Sequence, residues 1–84
     1  MPVISRFNGI VIRMYFLSSE HNPPHIHAIY GDDVAAIDFQ TDRVIEGELP
    51  PKILSLVLKW ISLHREELLK IWETQDFIKI APLD

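Results

Sequence analysis

With 84 residues, 48% of them hydrophobic and 24% charged, the chain has the size and composition of one folded domain, residues 1–84. It is too short for a second domain or a dinucleotide-binding fold. Eight Lys and Arg stand against twelve Asp and Glu, a net charge of −4 with no basic run. That disfavours a nucleic-acid partner held through phosphates, although Arg6, Arg13 and Arg43 are candidates for a local basic patch. Cysteine is absent, which excludes disulfides and thiolate metal sites.

Taken in chain order, Val3 to Phe7 is a short lead-in and Gly9 a turn or bulge before the first clear strand. In Ile10–Phe16, the residues Ile10, Ile12, Met14 and Phe16 share one face, while Val11, Arg13 and Tyr15 share the other. Ser18 to Pro24 is a connection. His25–Tyr30 and Val34–Phe39 flank Gly31-Asp32-Asp33, a hairpin signal. Gln40 to Arg43 is another turn, followed by a short apolar piece at Val44-Ile45. The period then changes. Pro50-Pro51 opens a helix expected over Pro51–Glu73, with Ile53, Val57, Trp60, Ile61, Leu68 and Ile71 inward and Lys59 and Glu66 outward. In the tail, Phe77, Ile78 and Ile80 are suited to an edge strand or to packing over the sheet. The expected fold is α+β: an antiparallel meander of three to four strands covered on one face by a single long C-terminal helix. The most apolar stretch, within that helix, is too short and too polar to span a bilayer. No signal peptide is visible at the N-terminus, so a cytoplasmic location is expected.

Histidine carries the chemical signal. Three of the four histidines fall in His21-Asn22-Pro23-Pro24-His25-Ile26-His27, where the prolines stiffen the loop. Strand alternation puts His25 and His27 on one face, about 7 Å apart. A two-residue hairpin loop brings Asp38 to that same face, where it would orient an imidazole; a three-residue loop would remove it. His64 falls about 20° from the reference Ile53 on a helical wheel, at the centre of the apolar face. It is either a satisfied core histidine or a third member of a shared site. If the histidine face of the sheet is the inner one, His25, His27 and His64 line one polar pocket, with Asp38 or Glu46 nearby and Pro23-Pro24 at the rim. The competing arrangement turns Ile26, Ala28 and Tyr30 toward the helix and leaves His64 alone. A shared pocket would suit a divalent metal such as zinc, held by His25, His27 and His64, or acid–base catalysis by these histidines with Asp38. Glu46-Gly47-Glu48 reads most simply as a solvated turn near the helix start. His25-Ile26-His27-Ala28-Ile29 begins like a nucleotide-hydrolase histidine triad, but position 29 is not His.

The opening MPVISRFNGIVIRMYF, then PPHIHAIYG, then EGELP before a helix containing WISLHREEL and Trp72, together resemble the small bacterial family of domains of unknown function numbered 4160. The positions that match its pattern are Pro23, Pro24, His25, His27, Glu46, Gly47, Leu49, Pro50, Trp60 and His64. The resemblance implies a short single-domain bacterial protein, often encoded beside another small protein and loosely labelled a toxin–antitoxin component or regulator. It brings no catalytic residues with it. The function expected is an interaction module of a two-protein pair, with His21, Pro23, Pro24, Glu46 and Glu48 as binding residues. Its partner would be a second copy or a small protein, since one helix covers one face of a sheet and leaves Val11, Tyr15, Phe77 and Ile78 to be buried elsewhere. A histidine-based acid–base nuclease or other hydrolase is the alternative. A domain with a structural metal is the second alternative.

Overall fold

The computed structural model describes residues 3–14, 23–76 and 78–83. Five strands, β1 (Val3–Phe7), β2 (Ile10–Arg13), β3 (His25–Tyr30), β4 (Asp33–Asp38) and β5 (Arg43–Gly47), form one antiparallel sheet in sequence order. Helix α1 (Pro51–Thr74) follows. The meander therefore has one strand more than expected. The lead-in is a strand because Asn8-Gly9 closes a two-residue hairpin between Phe7 and Ile10. Both central residues have positive φ, 49° and 78°, as a type I′ turn requires. The expected strand Ile10–Phe16 is described as a strand over Ile10–Arg13; Tyr15, Phe16, His21 and Phe77 lie outside the described residues.

The β3–β4 hairpin has the two-residue loop Gly31-Asp32, so His25 faces Asp38 and His27 faces Ala36. β5 grows from the apolar piece at Val44-Ile45, with a bulge at Ile45 where the register to β4 shifts.

The core lies between one sheet face and α1. Ile10, Ile12, Ile26, Ala28, Ala35 and Ile37 are buried from the sheet, and Val57, Trp60, Ile61, Leu68 and Ile71 from the helix. Lys59 and Glu66 are exposed, as the wheel requires. Proline opens α1 without a side-chain cap, and Gln75 closes it in the left-handed region, its N–H donating to Ile71 O at 2.8 Å. The helix is not uniform. His64 has φ −125° and ψ 20°, a kink between two straight segments. One residue on, Arg65 donates to the Phe39 carbonyl and forms a two-pronged pair with Asp42 at 3.0 and 3.2 Å. This clamps the second helical segment to the β4–β5 turn. The C-terminal segment returns to the free edge of β1, where Ile80 N–H donates to Ile4 O at 2.7 Å.

Candidate functional site

Because Ile26 and Ala28 are fully buried against the helix, the alternation of β3 turns His25 and His27 to the opposite face. The competing arrangement is the one that forms. His64 packs instead on the helix side, its ring 5.3 Å from Trp60 and its Nδ1–H donating to Glu67 Oε1 at 2.8 Å. The three-histidine pocket is thus corrected to a strand pair and a separate helix residue. Among the described residues, no group of three His, Asp or Glu side chains is disposed to hold a metal ion. The expected zinc set of His25, His27 and His64 is not brought together. His64 belongs to the kink, with its side chain largely buried over Trp60.

The outer sheet face carries the chemistry that remains. Register aligns Arg13, His27, Ala36 and Glu46 in one row across β2, β3, β4 and β5. Ala36 is small and nearly buried, so His27 and Glu46 flank a notch floored by a methyl group. A cleft of about 100 Å³ there is lined by Pro23, His25, His27, Ala36, Ile45 and Glu46. His25 and His27 meet edge to face with ring centres 5.2 Å apart. On its far side His25 lies 5.4 Å from the Trp72 ring. Its Nδ1 bonds the Pro23 carbonyl at 2.9 Å. A carbonyl only accepts, so Nδ1 carries the proton of this bond. Pro23-Pro24 therefore acts through a backbone carbonyl that sets the tautomer of His25.

The carboxylates divide differently from the expectation. Asp38 sits opposite His25, as the two-residue loop requires, but Oδ1 accepts the N–H groups of Gln40 at 2.8 Å and Thr41 at 3.2 Å. It organises the β4–β5 turn. Glu46 is the carboxylate that acts on the histidines, as the residue whose charge raises the proton affinity of His27. Glu48 stands apart, lining a cavity with Asp33, Leu49, Pro50 and Pro51 beside the helix start. Sequence reasoning named neither Ala36 nor Trp72 as part of this site. The small residue two places before Asp38 was the available sign of the notch; nothing local points Trp72 at His25.

His27 is held below the ordinary histidine value of 6.5, chiefly because burial disfavours the charged ring. The charge of His25 adds to this and Glu46 opposes it. Below pH 6.5 the unfolded chain then binds more protons at this position than the folded one. The contribution of His27 to stability is nil where both states are neutral. It turns unfavourable as pH falls through 6.5, and levels off below the lowered folded value. Urea midpoints taken at about pH 7.5 and 5.5 should fall less in His27→Gln than in the wild type. Equal falls would remove the burial argument.

Residues 9–73 match the sequence model of a family described as "Domain of unknown function (DUF4160)". No curated protein and no solved structure matches the chain. No helix among the described residues is long and apolar enough to cross a membrane. The matched span contains the His25–His27 strand, the Glu46-Gly47 edge and the kinked helix, and the chain belongs to the DUF4160 family.

Proposed function

We propose that the chain is a cytoplasmic bacterial interaction module, one half of a two-protein toxin–antitoxin-like pair, and that it binds its partner with the sheet face turned away from α1. The observation that carries this reading is a cross-strand apolar row on that face: Val11 opposite Ile29, and Ile29 opposite Val34. Val34 is 46% exposed, and on the neighbouring edge strand Ile45 is 48% exposed. Apolar groups set in register on a face that no described helix covers lose nothing by being buried against another surface. Arg13, His27 and Glu46 alongside them supply a polar rim. The bulge at Ile45 argues that the face, rather than simple strand addition at the β5 edge, is the contact surface.

Sedimentation velocity tests this on the chain alone and mixed with the product of a small neighbouring gene, where the genome places one there. A complex should form in one of the two. Val34→Asp, which buries a charge only when the partner is bound, should weaken it at least about tenfold. A chain that stays monomeric in both samples, or a complex indifferent to Val34→Asp, overturns the reading.

A second reading, a histidine-based hydrolase, is favoured by one feature: His25, its Nδ1 bonded to the Pro23 carbonyl, beside a His27 whose proton affinity burial lowers, in a cleft with Glu46. The same samples incubated with single-stranded RNA separate the two. Cleavage lost in both His25→Ala and His27→Ala supports the hydrolase; no cleavage ends it.

A further inference from the structure

Another cavity, of about 420 Å³, opens on the opposite edge of the sheet, between β1 and the C-terminal segment. Its position follows from a bulge. Val3 pairs with Arg13 and Ser5 with Ile12, so Ile4 is an extra residue in β1. The Ile4 carbonyl receives the Ile80 N–H, and Trp60 Nε1–H donates to Ala81 O at 2.9 Å. These two bonds hold residues 80 and 81 beside the strand and leave a hollow between them. Its walls are mostly apolar, from Val3, Ile4, Ile80, Ala81 and Pro82. Its two charged lining residues, Arg6 and Lys79, are both cations. Both are exposed, and neither forms an ion pair with a described residue. On a chain of net charge −4, this is a local reversal of sign. Ser5 also lines the hollow; it is 6% exposed and its hydroxyl has no hydrogen-bond partner among the described residues. The cavity falls in the size range of small-molecule sites. Its lining residues all lie outside the family-matched residues 9–73.

We propose that this cavity binds a small monocarboxylate with an apolar body, such as a medium-chain fatty acid. The apolar body replaces water against Val3, Ala81 and Pro82, over a floor closed by the buried Ile4 and Ile80. The carboxylate takes charge-assisted hydrogen bonds from Arg6 and Lys79, the two cations of the lining, neither of which is ion-paired with a described residue. A neutral ligand of the same shape would gain the first interaction and lose the second. A cationic one would be repelled.

Octanoate and octan-1-ol titrated into the ¹⁵N-labelled full chain provide the test. Octanoate should shift the amide signals of residues 3–6 and 79–82 and the Trp60 indole N–H, whose acceptor lies in the cavity wall. Octan-1-ol should bind at least about tenfold more weakly, and Arg6→Gln/Lys79→Gln should lower octanoate affinity to the level of the alcohol. Both substitutions are at exposed positions, and the acid–alcohol comparison on the wild type stands without them. Equal binding of acid and alcohol, octanoate affinity unchanged in the double variant, or shifts centred on Val11, Ile29 and Val34 would each overturn the proposal.

Discussion

Replacing Gly47 with Ala is expected to cost about 3 kcal/mol or more, a large part of the stability of a domain this small. Gly47 has φ +76°, where an L side chain is disfavoured by about 1–2 kcal/mol. The larger obstacle is space. A Cβ at position 47 would lie 2.1 Å from the Val34 carbonyl oxygen and 3.2 Å from the Ala35 Cα. Those atoms are backbone and cannot rotate aside. β5 would have to leave β4, giving up the Glu48 N–H bond to Val34 O and displacing Glu46 from its place opposite Ala36. Gly31 is the control. It too has positive φ, 61°, but a Cβ there meets nothing within 4 Å. Gly31→Ala should cost only about 1 kcal/mol. Urea unfolding of the two variants side by side decides the matter: equal losses would mean that the contact with Val34 does not constrain β5.

Trp60→Ala should be as damaging, at about 3–5 kcal/mol. Trp60 is fully buried, with Phe7 5.7 Å and His64 5.3 Å from its ring. Its indole N–H also holds the C-terminal segment through Ala81 O. Scaling by chain length gives the whole domain about 4–13 kcal/mol, so the variant is expected at the edge of unfolding. Trp60→Phe retains most of the apolar body and loses the hydrogen bond. It should remain folded while amide exchange at residues 79–82 accelerates. The single remaining tryptophan, Trp72, then reports on folding alone. Unchanged exchange in Trp60→Phe would show that Trp60 does not hold the C-terminal segment.

The strands and helix were legible because their signals are local. Period-two alternation in β2 and β3, the Gly31-Asp32 turn, and the apolar stripe from Ile53 to Ile71 each follow from steric or solvation rules acting within a few residues. β1 is legible as well, in Asn8-Gly9, because a type I′ turn there needs a strand on its N-terminal side. The hairpin parity that sets Asp38 opposite His25 is conditional in the sequence: a two-residue loop keeps them on one face, a three-residue loop parts them, and the structure supplies the two-residue loop Gly31-Asp32.

What the sequence left open was which face of β3 the helix covers. Alternation separates His25 and His27 from Ile26 and Ala28, but both choices satisfy the period. Only packing decides, because Ile26, Ala28 and Ile37 together present a continuous apolar surface to Val57, Trp60 and Ile61. Burying imidazoles there would strand polar nitrogens, at a cost that the isoleucine face avoids. The same choice parts His64 from the strand histidines and gives Glu46, rather than Asp38, to His27. Gly47 makes the point from the other side. Its identity is written in the sequence, yet its reason, the approach of the Val34 carbonyl from a strand thirteen positions away, exists only once β4 and β5 have paired. The chain on its own determines its elements and their alternation. The tertiary structure alone decides which faces meet, because burial free energy depends on what lies across the interface and not on the order of residues along the strand.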